Sequence, residues 1–121
     1  MGKSAGQSGG ACPLELVQRA IGGKWKIAVL WALQGTRRFN ELHRQFSGIT
    51  QTMLTKQLRE LERDGFVHRE IYREIPPKVE YSLTAMGRGF LPIIRKMHDW
   101  GEKNRDSLPQ PGDGREAAGG P

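Results

Sequence analysis

The chain has 121 residues, of which 26% are charged and 36% are hydrophobic, and its formal net charge is +6 at pH 7. This length allows one small domain, and an excess of Lys and Arg favours polyanionic partners such as nucleic acid. The single cysteine, Cys12, excludes an internal disulfide and a thiolate-rich metal site, and no run approaches the roughly 20 apolar residues of a membrane helix.

Both ends of the chain are rich in small and turn-forming residues and have no apolar periodicity. We expect residues 1–11 and 107–121 to be flexible tails, because such compositions bury too little surface to become ordered. The folded domain is therefore predicted to span residues 12–106. The first ten residues also lack the apolar centre of a secretory signal, so we expect a cytoplasmic protein with no membrane partner.

Two helices are predicted at the start of the domain. The first begins at Pro13, which suits the first helical turn, and Gly22-Gly23 ends it. The second covers residues 24–34 and is apolar around nearly its whole circumference. A helix of that kind belongs in the centre of a domain.

A short third helix and a longer fourth helix follow, separated by a turn. The third opens at Phe39 and ends before Ser47-Gly48. The fourth covers residues 50–64 and carries a narrow apolar stripe, which predicts one buried face. The stripe consists of Leu54, Leu58 and Leu61.

The periodicity then changes from helical to alternating. Residues 66–72 and 78–83 are predicted strands, and Pro76-Pro77 favours an extended loop between them. Thr84 is a suitable N-cap for a last helix that runs to about Arg105 and should be kinked at Pro92. This order predicts an α+β, mainly helical fold, a winged helix-turn-helix with a two-stranded wing and N- and C-terminal dimerisation helices.

Polar and cationic side chains cover the face of the fourth helix opposite the leucine stripe, at an advance of about 100° per residue. Small hydrogen-bonding groups near the N-terminal end, with cations further along, suit a helix that lies in the DNA major groove. A merely solvated face is the alternative for this helix taken alone. The candidate DNA-binding residues on it are Gln51, Thr52, Thr55, Lys56, Arg59 and Arg63.

Further cations lie outside this helix. Arg69, Arg73 and Lys78 bracket the hairpin loop, and a basic hairpin tip beside a basic helix favours DNA binding over a merely solvated face. Arg38, before the third helix, is a candidate phosphate contact. Lys24, where the second helix is predicted to open, is another, because helix starts favour anions.

The last helix carries an apolar stripe, and the first helix is equally apolar on one face. Part of the stripe should complete the core of the chain. The second to fourth helices already provide a core, however, so the remainder predicts a surface shared by two subunits. The predicted dimer-interface residues are Leu14, Val17, Leu91, Ile94, Met97 and Trp100.

Several segments agree in order and spacing with one known family. They are CPLELVQRAIGGKWKIAVLWAL, ITQTMLTKQLRELERDGFVHRE and PPKVEYSLTAMGRGFLPII, followed by Trp100-Gly101. Over about residues 12–101 the chain resembles the HxlR family of bacterial, MarR-like winged-helix transcription regulators. The resemblance implies a homodimer that binds an inverted-repeat operator in double-stranded DNA, with the fourth helix in the major groove.

Cys12 is a candidate redox-sensing residue. It directly precedes Pro13 at the start of the first helix, where unsatisfied amides and the helix dipole stabilise a thiolate. The resemblance implies the same role, since several members of the family sense electrophiles or oxidants with a cysteine at the corresponding place. An intersubunit disulfide or an alkylated thiol would then shift the two DNA-binding helices. An unreactive cysteine is the alternative.

The sequence predicts neither an enzyme nor a cofactor or metal site. It has no glycine-rich phosphate loop and no nucleophile with an evident base, and His43, His68 and His98 fall on separate elements. Two alternatives to a thiol-responsive regulator remain. One is a winged-helix module that recruits a protein partner through the Trp100 face. The other is a regulator that responds to a small ligand near the dimer interface.

Overall fold

The computed structural model describes residues 10–112, so most of both predicted tails, residues 1–9 and 113–121, lies outside the described residues. No helix among the described residues is both long and apolar enough to cross a membrane. The order of elements is the predicted one, with a short strand added before the third helix and a 3-10 helix added after the last α-helix. The elements are α1 (Pro13–Ile21), α2 (Lys26–Ala32), β1 (Arg37–Arg38), α3 (Phe39–His43), α4 (Gln51–Arg63), β2 (Val67–Tyr72), β3 (Lys78–Leu83), α5 (Ala85–Lys103) and a 3-10 helix (Arg105–Ser107).

The predicted two-stranded wing, β2 and β3, is confirmed, and a third strand, β1, is added at the other edge of β3. The strand order of the sheet is β1-β3-β2, and all neighbouring strands are antiparallel. In the added pair, Arg37 lies opposite Tyr81 and Arg38 lies opposite Glu80. Two adjacent arginines have no alternating hydrophobic pattern, so β1 leaves no periodic signal in the sequence. It forms because its backbone groups pair with the edge of β3.

The hydrophobic core is centred on α2 and α4. The leucine stripe of α4 is fully buried, as predicted, and Val29 and Leu30 of α2 are buried beside it. Because the stripe faces the core, the opposite face of α4 must face solvent. The remaining buried hydrophobic residues come from the other elements and loops and are Ile21, Leu33, Leu42, Ile49, Val67, Leu83 and Ile94.

Hydrogen bonds cap the first turns of α4 and α5, and one of them joins the start of α5 to the residue that follows α4. Thr50 caps α4, and its Oγ1 accepts a hydrogen bond from the Met53 N–H at 3.0 Å. Gly65 follows α4 with φ of +91°, a left-handed conformation that favours glycine. Thr84 caps α5, as predicted, by accepting from the Gly87 N–H at 3.1 Å, and its hydroxyl donates to the Gly65 carbonyl at 2.6 Å. These contacts fix the hairpin between the two helices.

Several predicted boundaries of helices and strands shift by one or two residues. Helix α2 begins at Lys26, two residues later than predicted, because Trp25 occupies the N-cap position after the glycine pair. Helix α5 ends at Lys103, and the 3-10 helix that follows it crosses the predicted domain end at residue 106. Pro92 lies inside α5, where the kink stays a prediction.

Candidate nucleic-acid interface

The exposed face of α4 carries the side chains predicted to contact DNA. Gln51 and Thr52 are exposed in its first turn, and Thr55 beside them is partly buried. Lys56 and Arg59 are exposed further along, and neither makes a salt bridge within residues 10–112. The structure therefore brings the predicted residues together, with hydrogen-bonding groups at the N-terminal end and cations after them.

Both glutamates of α4 are paired with cations that lie outside the helix. Glu60 Oε1 lies 2.7 Å from Lys26 Nζ of α2, and Glu62 Oε1 lies 3.1 Å from Arg69 Nε of β2. The hydrogen bond from Lys26 lowers the pKa of Glu60, and burial of the carboxylate opposes this shift. The carboxylates are thus held at the flanks of α4, and the outward face is left cationic.

Lys26 was not predicted as a functional residue. Its side chain is buried, at 7% exposure for the whole residue, and its ion pair ties α2 to α4. The available signal was that Lys26, like Lys24, is a cation in a predicted helix that is otherwise apolar around nearly its whole circumference. Because Glu60 lies on another helix, the pairing itself could not be read from the sequence.

The Lys26–Glu60 pair gives a prediction about stability. Replacing Glu60 by Ala leaves a buried ammonium without its partner, and we expect the free energy of unfolding to fall by about 2 kcal/mol. Replacing Glu62, whose pair with Arg69 is more exposed, should cost less than about 1 kcal/mol. Urea unfolding of the two variants measures the difference, and equal losses would contradict it.

The pH dependence of stability tests the Lys26–Glu60 pair in a second way. Because the pKa of Glu60 is lowered from 4.5, its contribution is fully present above pH 4.5 and is lost as pH falls through the lowered pKa. Stability of the Glu60→Ala variant should therefore fall less steeply in this acidic range than that of the unaltered chain.

Arg63, at the end of α4, differs from the other predicted cations of the helix. Its Nε donates to the Asp64 carboxylate at 3.2 Å, and this hydrogen bond raises the pKa of Arg63. The side chain is exposed, but part of its charge is compensated locally. Arg63 therefore offers a phosphate a weaker net attraction than Lys56 or Arg59 does.

The wing is less cationic than predicted. Lys78 Nζ lies 3.8 Å from Glu74 and 3.9 Å from Glu80, and 4.4 Å from the ring centroid of Tyr72. The same Glu80 charge raises the pKa of Tyr72. Lys78 is therefore balanced by two carboxylates, because residues 78 and 80 share a face of β3. Among the wing cations of the described chain, Arg73 is exposed and makes no salt bridge.

Two further residues, Arg38 and Lys24, were predicted to contact phosphates, and both precede α4 in the sequence. Arg38 is exposed at the start of α3, and its backbone N–H donates to the Glu41 carboxylate at 2.8 Å. Lys24 precedes α2 and does not open it, so the predicted helix-start site is corrected at this position. Its Nζ lies 5.3 Å from the ring centroid of Trp25.

The predicted dimer residues fall into two groups. Leu14 is 77% exposed on α1, and Met97 and Trp100 are exposed on α5, with Trp100 at 59%. Ile94 is 3% exposed and belongs to the core of the chain, so its assignment to an interface is corrected. Leu91 is partly buried and packs against the core. The apolar stripe of α5 lies partly against the core and partly at the surface, so the predicted dimer residues on this helix divide into buried and exposed ones.

An apolar cleft lies between α1 and α5. Its volume is about 470 Å³, and Leu14, Val17 and Met97 are among the residues that line it. Val17 is exposed at its edge. The cleft is thus continuous with the exposed group of predicted dimer residues.

Cys12 occupies the N-cap position of α1. Its thiol is not disulfide-bonded and the residue is partly buried, and its carbonyl accepts hydrogen bonds from the N–H groups of Glu15 at 2.8 Å and Leu16 at 3.1 Å. The side chain makes no capping hydrogen bond. Cys12 therefore lies at one end of α1, the helix whose apolar side chains Leu14 and Val17 line the cleft.

The three histidines lie in separate surroundings. His43 Nε2 is 2.8 Å from the Ile49 carbonyl, His68 pairs with Glu70, and His98 is 3.2 Å from Asp99. Within residues 10–112, no group of three His, Cys, Asp or Glu side chains is arranged to hold a metal ion.

Comparison with known proteins identifies the family. Residues 20–108 match the HxlR-like helix-turn-helix family. The chain is 56% identical over 98 residues to the HTH-type transcriptional regulator YdeP of Bacillus subtilis, covering 80% of this chain and 77% of the relative. It is 57% identical over 98 residues to YybR of the same organism, covering 80% and 78%.

A solved structure gives the same result. The reduced form of the redox regulator HypR is 55% identical, with a TM-score of 0.77 over 80% of this chain and 97% of that one. Family and relatives are transcription regulators, not enzymes. The helices and wing described above are thus those of a winged helix-turn-helix, and the chain belongs to the HxlR-like family of HTH-type transcription regulators.

Proposed function

We propose that the protein binds double-stranded DNA as a homodimer on an inverted-repeat operator, in the cytoplasm. In this proposal α4 lies in the major groove, and Arg73 of the wing and Arg38 contact flanking phosphates. The observation that carries it is the outward face of α4, where Lys56 and Arg59 make no salt bridge within the described residues while both glutamates are held at the flanks. The order of hydroxyls and cations on that face matches what groove contacts require.

The exposed apolar side chains of α1 and α5 support the homodimer. Large apolar side chains are exposed on both helices, namely Leu14, Met97 and Trp100. Exposed apolar patches usually mark interaction surfaces, and a second copy of the chain would cover this one. Binding to an inverted repeat requires the two α4 helices of such a dimer to reach half-sites about 34 Å apart.

Introducing a charge at Trp100 tests the dimer and its operator together. We expect Trp100→Glu to be monomeric at micromolar concentration in sedimentation velocity, because a carboxylate would be buried without a partner. Footprints on the DNA flanking its own gene should show two half-sites for the unaltered protein and lose them for this variant. Trp100→Phe, which keeps the face apolar, is the control.

The opposite result also has a clear meaning. An unaltered protein that is monomeric and leaves no footprint would support the alternative module that recruits a protein partner through the Trp100 face.

We infer further that Cys12 makes the regulator responsive to electrophiles or oxidants. The support is that Cys12 is a free, partly buried cysteine at the start of α1, and that the chain is similar to the reduced and oxidised forms of the redox regulator HypR. Two Cys12 thiols, one from each subunit, would form one disulfide and pass two electrons and two protons to the oxidant.

Replacing Cys12 by Ser separates thiol sensing from a response to a bound small ligand. We expect diamide or a quinone to release the unaltered protein from DNA, and diamide to give a disulfide-linked dimer on a non-reducing gel. Cys12→Ser should do neither, because it lacks the thiol that reacts. If Cys12→Ser is still released normally by the quinone, the thiol model is wrong and the ligand alternative is favoured.

A further inference from the structure

A second cleft lies between α2 and the segment that joins α3 to α4. Its volume is about 470 Å³, within the range of small-molecule sites, and it is separate from the α1–α5 cleft. Its apolar lining comes from the rings of Trp31 and Phe46 and from the methyl groups of Ala28 and Ala32. Ala28 and Ala32 are one helical turn apart on α2, so small side chains leave open space beside the rings.

Both rings are held by other side chains. Trp31 stacks on His98 of α5, with ring centroids 5.4 Å apart and planes inclined by 21°, and the Arg95 guanidinium lies 5.4 Å from the Trp31 centroid. Phe46 packs edge-to-face against Trp25 at 6.0 Å. Rings fixed in this way need little ordering when a planar molecule binds, which lowers the entropic cost of binding.

The polar lining of the cleft presents hydrogen-bond donors and no carboxylate. It consists of Arg37, Gln34 and Gln45. Arg37 is partly buried, its guanidinium lies beside Gly35, and its Nη1 donates to the Thr36 carbonyl at 3.3 Å. Within residues 10–112, Arg37 makes no salt bridge and the Gln45 side chain makes no hydrogen bond.

We propose that this cleft binds a planar aromatic carboxylate of one or two rings. The ring lies against Trp31 and Phe46, and the carboxylate pairs with the Arg37 guanidinium, whose planar array of N–H donors matches a carboxylate. The Gln45 amide supplies a further donor at the edge. The site is distinct from Cys12 and from the proposed dimer face, so this proposal goes beyond the function given above.

The position of the cleft links it to the DNA-binding elements. Phe46 lies in the connection between α3 and α4, and Arg37 precedes the exposed Arg38 in β1. A molecule held between these residues therefore contacts the helix-turn-helix itself.

Calorimetric titration of the full chain with 2-naphthoate tests the proposal, and the uncharged 2-naphthylmethanol serves as the matched probe. We expect 2-naphthoate to bind at least ten-fold more tightly than the alcohol. Arg37→Gln should remove that preference while leaving the affinity for the alcohol unchanged. Arg38→Gln, which alters the neighbouring exposed arginine, should leave both affinities unchanged.

Two further variants address the cleft itself. Ala32→Leu fills it and should weaken binding of both probes at least ten-fold. Gln45→Glu, at an exposed position where folding is not at risk, should weaken only 2-naphthoate by repulsion. Equal affinity for the two probes, no binding at millimolar concentration, or 2-naphthoate binding unaffected by both Arg37→Gln and Gln45→Glu would each overturn the proposal. Because no DNA is present, these outcomes are independent of the proposed function.

Discussion

Replacing Lys56, Arg59 and Arg73 together by alanine is expected to weaken binding to duplex DNA by about 1000-fold or more at physiological salt. These are cations of α4 and the wing that make no salt bridge within the described residues, so phosphates can approach them without displacing a carboxylate. Each lost phosphate contact should also reduce the slope of log K against log salt concentration by about 0.9. Six contacts in a dimer thus correspond to a reduction of up to about 5.

A control variant with the same change in charge separates the α4 face from the net charge of the protein. Arg19, Lys96 and Lys103 are exposed on α1 and α5, and replacing all three by alanine removes the same three charges per subunit. We expect this control to retain most of the affinity, measured by fluorescence anisotropy at several salt concentrations. If both variants lose affinity equally, the basic character of the whole chain carries binding, and the α4 face does not.

Gly87→Ala is expected to lower the free energy of unfolding by about 2–3 kcal/mol. Gly87 is buried in the first turn of α5, and a methyl group there would come well within 3.0 Å of the Phe66 carbonyl oxygen. That oxygen cannot easily move, because it accepts the Thr84 N–H at 3.1 Å. Leu83 would also be crowded, at 3.2 Å from the added carbon. The close packing of α5 on the hairpin therefore requires glycine at this position.

Gly89 provides the matched control two residues further along the same helix. No atom lies within 4 Å of the position that its added carbon would occupy. Gly89→Ala should therefore stabilise the protein by about 0.5–1 kcal/mol, since glycine is unfavourable inside a helix. Urea unfolding followed by circular dichroism compares the two variants. A loss at both positions would show that the contact with Phe66 is not the cause.

Local features of the sequence determined the elements and one face of the candidate site. The period of Leu54, Leu58 and Leu61 set the buried side of α4 and, by opposition, the polar side that carries Lys56. The hydroxyl of Thr84 marked the start of α5 because an N-cap acts within a few residues of itself. The resemblance to the HxlR family rested on such segments, and the family comparison confirmed it.

Only the tertiary structure decided which charged side chains remain available to contact DNA and which apolar side chains remain exposed to solvent. Lys26 neutralises Glu60 from another helix, Arg69 neutralises Glu62 from a strand, and Ile94 belongs to the core although it shares a stripe with Trp100. The helical period of a sequence shows which residues share one face of a helix, but it does not show which segment packs against that face. Burial and ion pairing depend on contacts between segments distant in sequence, and the packing of the elements sets those contacts.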